Sequence, residues 1–585
     1  MNGAEPKDRF PQLRWLSPFS LSRLGSDARR SWSADLIVLL GLFALFSLIV
    51  RMAMGGHHTV TASNISLKYS MLPLYAAYSV LRMAVAYGLS LAFSLVYGYV
   101  AAYNRRAARV LVPILDILQS VPMLSLLPAV VLALTGLFPG GTGAEFASVV
   151  LVFTSQAWNL TFSFYNSLLT IPKELHEVAR LYRLTWWQRF RQLELPYAAG
   201  GLVWNSMMSW AGGWFFLMEA EMFTLGTRSF QLPGLGSYLQ TAANDGSGRA
   251  EVGGITMLIL VIVALDQLLW RPVIAWADKF KVEMVGNQAP PRSAVLMLLR
   301  RSRILAWVTT HAVSPVIESL DQALARARRP EGDAGAPVRA SRLAGWLVGA
   351  VLVGLAAYGG WRGFGLLVRT PASVWDQLPL DAGLTLGRVI ATLAISVLWT
   401  VPVGVFIGMN RVWASRLQPV AQILASLPAS ALFPLIVIWV GGGLGWLSIL
   451  LMLLGTQWYV LFNVIAGAMA IPQDLKEVTN LFALSRWDRW RTLILPGIFP
   501  SLITGLITAA GGAWNAAIVT EWVQIGNHTV QTVGLGAAIA EASRHNAHGA
   551  LLASTAALSL LVVVVNRGFW RRLYRLAETR YTLLS

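Results

Sequence analysis

The sequence predicts an all-α polytopic membrane protein of about 12 transmembrane helices, built as two tandem six-helix halves related by a pseudo-twofold axis along the membrane normal. Three observations predict it: an apolar composition, a series of apolar runs long enough to cross a bilayer, and an internal duplication. Of 585 residues, 56% are hydrophobic and only 13% are charged, and the mean hydropathy is +0.57, outside the range of ordinary soluble domains. A formal charge of +18 would suit a nucleic-acid binder. In a membrane chain the same excess is what cytoplasmic loops carry under the positive-inside rule, so no nucleic-acid partner is expected. There is no cysteine, which excludes a disulfide framework, a thiol nucleophile and a thiolate metal site.

The apolar runs fall at roughly 35–54, 79–103, 110–136, 145–169, 197–220 and 251–274, then at 343–361, 384–408, 417–440, 446–469, 497–520 and 548–566. The first follows a polar and basic stretch without a small-residue cleavage site, so it reads as a retained anchor. The runs divide the chain into a cytoplasmic tail (1–34), a first transmembrane half (35–277), a basic cytoplasmic linker (278–342), a second half (343–570) and a second cytoplasmic tail (571–585). With both termini in the cytoplasm, 36 Lys/Arg lie in cytoplasmic loops and tails and 6 outside, the asymmetry that sets the orientation. Within the linker, 294–325 can hold an amphipathic helix on the membrane surface. A further span there would carry Arg300, Arg301 and Arg303 into the bilayer at high cost.

The duplication shows first in two segments, IPKELHEVARLYRLTWWQRFRQLELP (171–196) and IPQDLKEVTNLFALSRWDRWRTLILP (471–496), which share 13 of 26 residues at an offset of 300. The match continues with Trp158 on Trp458, Gly212 on Gly512, Trp214 on Trp514, Glu221 on Glu521, and a GLG at 234–236 on a GLG at 534–536. Upstream the offset is 306, pairing Arg82 with Arg388, Pro122 with Pro428 and Pro128 with Pro434. Each half has an even number of runs, so both insert in the same orientation and a pathway between them follows.

In the repeated segments, Pro172 and Pro472 suit the first turn of a short helix, and Glu174 and Asp474 complement its positive end. Leu175, Val178 and Tyr182 then share a face, repeated by Leu475, Val478 and Phe482, while His176, Arg180 and Lys476 point elsewhere. Trp187 and Arg189, with Trp487 and Arg489, suit the lipid headgroups before the next run. A short cytosolic helix presented twice reads as a docking surface for two copies of a soluble partner.

Polar residues inside apolar runs face a cavity or another helix. The candidates to line a pathway are Gln156, Trp158, Asn159, Asn205, Ser209 and Glu219 in the first half and Thr456, Gln457, Trp458, Asn463 and Asn515 in the second. Helix-to-helix hydrogen bonding is the open alternative for each. Arg82 and Arg388, at matching places near the ends of their runs, read as snorkelling anchors. His545 and His548 form an H-x-x-H without an evident third ligand, so no metal is expected.

The two segments resemble the coupling loop, or EAA loop, of permease subunits of type I ABC importers, whose pattern runs Glu-Ala-Ala, three residues, Gly and, after about nine more, Leu-Pro. The match is Glu177-Val178-Ala179 with Leu195-Pro196, and Glu477-Val478-Thr479 with Leu495-Pro496; Arg183 and Ala483 stand where the family has its glycine. The approach to the loop and the GLG after it look most similar to the nitrate, sulfonate, taurine and bicarbonate branch. Fused double permeases for iron or thiamine are the nearest rival.

The resemblance implies a transport subunit, not an enzyme, that supplies both transmembrane halves of an importer in the bacterial inner membrane and passes a small anionic solute. It implies two separate ATPase subunits, which carry ATP and magnesium and dock on Glu174 to Tyr182 and Asp474 to Phe482. It also implies a periplasmic or lipid-anchored substrate-binding protein, and no cofactor in this chain. Independently, no G-x-x-x-x-G-K-[ST] phosphate loop occurs in the sequence. A channel and a membrane-embedded enzyme are the remaining classes. The repeated docking helix argues against the first, and the scarcity of acids within the runs against the second.

Overall fold

In a computed structural model the protein is described over residues 65–120, 122–138, 142–225, 228–280, 294–301, 363–440, 444–525 and 528–580, with isolated positions between 307 and 361. The expected tail 1–34, the run 35–54, most of the linker and, apart from isolated positions, the run 343–361 lie outside the described residues.

The first half runs α1 (Leu72–Tyr103), α2 (Arg105–Ser120), α3 (Met123–Leu137), α4 (Thr142–Leu169), α5 (Lys173–Leu181), α6 (Trp186–Arg189) and α7 (Leu195–Glu221). A hairpin of β1 (Met222–Leu225) and β2 (Arg228–Gln231) follows, then α8 (Leu235–Asn244), α9 (Gly248–Leu265) and α10 (Arg271–Ala277). In the linker, α11 (Ala294–Arg301) falls inside the stretch expected to be helical. The second half repeats the order as α12 (Ala372–Met409), α13 (Arg411–Ser426), α14 (Ala429–Val440), α15 (Leu444–Ala470), α16 (Gln473–Leu481), α17 (Arg486–Arg489) and α18 (Leu495–Thr520). It continues with β3 (Trp522–Ile525), β4 (His528–Gln531), α19 (Leu535–Arg544), α20 (His548–Val565) and α21 (Arg571–Arg580). The repeat holds to the residue: Met222 pairs with Gln231 and Trp522 with Gln531.

The chain is thus a tandem two-half, all-helical polytopic protein with two small hairpins that the apolar runs did not announce. Among the described residues, six helical stretches are long and apolar enough to cross a membrane: 69–103, 248–277, 372–409, 445–470, 486–520 and 548–577. The counterparts α4 and α7 are each one residue longer than α15 and α18, but their Ser, Asn, Glu and Trp residues dilute the apolar character.

Two expected runs are corrected. Residues 110–136 and 417–440 are not single helices but pairs, α2 with α3 and α13 with α14. Pro122 is extended at ψ 113°, and Leu427, just before Pro428, at ψ 118°. Proline offers no N–H and pushes its predecessor out of helical geometry, so the break falls at the prolines both halves share. Proline also shapes the entry to α7 and α18. Each is preceded by a π-helical turn, Phe190–Glu194 or Trp490–Ile494, in which the N–H of Leu195 or Leu495 reaches back five residues. Pro196 or Pro496, next in line, has no N–H to contribute.

In each half three long helices pack in sequence, α1 on α4 on α7 and α12 on α15 on α18. The halves meet by exchange: α3 packs on α18 of the other half, and α14 on α7. Met123, Leu124 and Ala220 join Ala513, Ala516 and Ala517 in one core, small side chains letting the backbones approach closely.

Candidate functional site

The two repeated segments, 171–196 and 471–496, are built alike. Pro172 stands just outside α5, at its N-cap, and Glu174 and Asp474 lie in the first turns of α5 and α16. Ile171, Ile471, Ala179 and Thr479 face inward and are buried, and Leu175 is half-buried against the same core. Glu174, Glu177, Val178 and Tyr182 are exposed, as are Asp474, Leu475, Glu477, Val478 and Phe482. The most exposed apolar side chains here are ones the sequence analysis did not single out: Leu181 at 80% and Leu481 at 85%. Burial and then the nearby Arg489 push the Lys476 ammonium down from its ordinary value.

Both helices end in a left-handed residue, Arg183 at φ 49° and Ala483 at φ 45°. The Leu184 N–H donates back to the Ala179 carbonyl at 3.0 Å, and Leu484 to Thr479 at 3.2 Å, the closing bond of a C-terminal glycine cap made without glycine. The next turn starts at Thr185, whose hydroxyl accepts from the Gln188 N–H while Gln188 reaches back to the Thr185 N–H. Ser485 accepts from the Asp488 N–H at 3.1 Å in the same place. Beyond it the halves diverge. Buried Glu194 accepts from the Tyr103 hydroxyl at 2.6 Å and from Arg189 Nε at 2.7 Å, whereas the second half has Ile494 there.

At the opposite end of α7 and α18 the expectation of snorkelling arginines is overturned. Arg82 is 2% exposed and Arg388 10%. Arg82 donates to both oxygens of Glu145 at 2.6 and 2.7 Å, to Glu221 at 2.8 Å and to the Pro233 carbonyl at 2.8 Å. Arg388 donates to Glu521 at 2.7 Å and to Thr532 at 2.9 Å. An anchor reaching for headgroups would leave the buried Glu221 and Glu521 unpaired, which costs far more than the snorkel saves. Each glutamate also accepts from the second glycine of the GLG, Gly236 or Gly536, at 2.8 Å. Its carboxylate thereby closes the positive end of α8 or α19. A Cβ on Gly234 or Gly534 would collide with that carboxylate, which is why glycine stands there in both copies.

Among the described residues, at least two cavities open between the halves. One, of about 130 Å³, is lined by Thr456, Trp458, Tyr459 and Asn515 together with Trp204, Trp210 and Asp266. The other, of about 370 Å³, is lined by Glu219, Ser430, Trp522 and Arg544 among others. Asn515 also spans the interface, its carbonyl oxygen accepting from the Leu124 N–H at 3.3 Å. It thus serves the open N-terminus of α3, where Pro122 provides no side-chain cap. The structure brings Glu219, Thr456, Trp458 and Asn515 to these cavities. The other expected residues bond or pack among helices. Gln156 donates to Met83 Sδ, Asn159 to Ser209, Asn205 to Ser163, and Asn463 to the Tyr459 carbonyl; Trp158 packs edge-on against Phe93, and Gln457 is buried.

A family model described as binding-protein-dependent transport system inner membrane component matches the chain twice, at residues 94–268 and 400–571. The chain belongs to this permease family. Curated permeases similar to it include the taurine transport system permease protein TauC of Escherichia coli, 28% identical over 34% of this chain and 68% of that protein. The bicarbonate transport system permease protein CmpB of Synechococcus elongatus is 29% identical over 29% and 62%, and the nitrate import permease protein NrtB of Leptolyngbya laminosa 25% over 31% and 63%. Each stretch of similarity has the size of one half, and the duplicated match makes this a fused double permease of the ABC importer class, multi-pass in the inner membrane. Its relatives are transport proteins rather than enzymes.

In this permease the left-handed turn residues carry a removable strain. A non-glycine residue in that region costs about 1–2 kcal/mol. Arg183→Gly and Ala483→Gly are therefore expected to stabilise the ends of α5 and α16 by about 0.5–1 kcal/mol after glycine's own entropy is subtracted. Slower amide exchange at Leu184 and Leu484 is the expected reading; faster exchange in both variants would show that the turn draws on the Arg and Ala side chains instead.

Proposed function

We propose that this chain forms the whole transmembrane pathway of an ATP-driven importer for a small anionic solute, with residues 35–277 and 343–570 as its two halves and both termini cytoplasmic. Two ATPase subunits carrying ATP and magnesium dock on α5 and α16 through Glu174, Leu175, Glu177, Val178, Ala179 and Tyr182, and through Asp474, Leu475, Glu477, Val478, Thr479 and Phe482. A periplasmic or lipid-anchored binding protein delivers the solute. Closure of the ATPases draws the two helices together and rocks the halves, exposing the space between them to either side in turn. Of the expected polar residues, Glu219, Thr456, Trp458 and Asn515 supply the polar surface of that route, while Gln156, Trp158, Asn159, Asn205, Ser209, Gln457 and Asn463 hold together the helices that frame it.

The observation that carries this reading is the pair of matching exposed apolar patches, on Val178, Leu181 and Tyr182 and on Val478, Leu481 and Phe482. Exposed apolar clusters outside the bilayer mark protein interfaces. The cargo follows from the taurine, bicarbonate and nitrate relatives. As a test, Glu177→Lys and Glu477→Lys are each expected to lower solute-stimulated ATP hydrolysis and uptake by the assembled complex at least about tenfold, equivalent to 1.4 kcal/mol. The protein should remain in the membrane at its normal level. Loss of insertion rather than of coupling would sink the assignment.

A further inference from the structure

The larger cavity between the halves is electrically lopsided in a way its symmetry does not require. Residues 219 and 519, and residues 244 and 544, are repeat partners at the offset of 300, and all four line it. The first half contributes Glu219 and Asn244, the second Val519 and Arg544. One carboxylate therefore enters from one half and one guanidinium from the other. Glu219 Oε1 is buried and has no hydrogen-bond partner among the described residues. The Arg544 guanidinium lies over the Trp522 ring, 5.2 Å from its centroid. A volume of about 370 Å³ is at the low end of small-molecule sites.

We propose that the solute accepted between the halves is a zwitterion on a short chain, its ammonium group received by Glu219 and its anionic head by Arg544. The inference rests on the importer reading and narrows its solute class. A bare inorganic anion would satisfy Arg544 and confront the carboxylate with nothing to offset it, and a bare cation would meet the converse. Only a molecule carrying both charges matches both walls. The Trp522 face beside Arg544 covers the short carbon chain between them.

The test uses the full chain in lipid nanodiscs with three probes of equal chain length: taurine, ethanesulfonate and ethylammonium, titrated by ligand-detected saturation-transfer NMR. Taurine is expected to bind saturably and at least about tenfold more tightly than either single-charge probe, a gap of 1.4 kcal/mol. Glu219→Gln should erase its advantage over ethanesulfonate, and Arg544→Gln its advantage over ethylammonium. The wild-type ranking of the three probes decides the matter even where a variant fails to fold. Ethanesulfonate binding as tightly as taurine overturns the zwitterion and leaves the anion importer standing. Ethylammonium binding alone overturns both, and no binding by any probe overturns the zwitterion.

Discussion

Glu521→Ala is expected to destabilise the protein by about 3–5 kcal/mol, the cost of breaking a buried ion pair from one side. Glu521 is fully buried and is the carboxylate that holds Arg388 among the described residues; it also accepts from Thr385 and from the Gly536 N–H. Its removal strands a guanidinium, a hydroxyl and a helix N-terminus together. Glu221→Ala in the first half should cost less, because Arg82 keeps its two bonds to Glu145. Thermal unfolding of the purified variants would check the order. If Glu521→Ala melts no earlier than Glu221→Ala, the second carboxylate on Arg82 contributes nothing and the asymmetry is only geometric.

The second large effect is expected at the exposed apolar patches on which the ATPase subunits are proposed to dock. Leu181 and Leu481 project almost wholly into solvent, so replacing them by aspartate should leave folding and membrane insertion untouched. As central apolar anchors of an interface they are each worth about 2 kcal/mol or more, so each single change should weaken capture of the ATPase subunits at least about tenfold. The double variant Leu181→Asp/Leu481→Asp should abolish uptake. Unchanged ATPase capture by the double variant would place the docking surface elsewhere on the chain.

Much of the architecture was legible because it depends on periodicity and length. The expected runs 145–169, 197–220 and 446–469 match α4, α7 and α15 closely, since a bilayer imposes a length that a sequence cannot disguise. The break at Pro122 and Pro428 was legible in principle, as both prolines had been paired by the repeat, but a hydropathy window averages across a kink. The short helices α5 and α16 were legible through their duplication. Their most exposed leucines were not, because a helical face counted from Leu175 starts at a side chain that turns inward.

The role of Arg82 and Arg388 was hidden for a different reason. A charge near the end of an apolar run has a cheap local explanation, and the true partners, Glu145, Glu221 and Glu521, lie 63 to 139 residues away. The repeat had already aligned Glu221 with Glu521 and GLG with GLG. Two conserved-in-duplicate acids beside duplicated arginines were the available signal, and only their spatial meeting gives it meaning.

The glutamate that closes the start of α8 or α19 has a mechanical consequence. It hangs from the end of α7 or α18, and in the same stroke grips α1 or α12 through the arginine. Three elements are bolted at one point, so α8 cannot swing as an independent flap over the cavity. A long helix so fixed behaves as a stiff lever. With α7 about 40 Å long, a tilt of about 10° imposed at its opposite end carries the bolted end, and α8 with it, through about 7 Å. Any aperture at that face must therefore open by the travel of whole blocks, and its width is set by the stroke delivered at the other end.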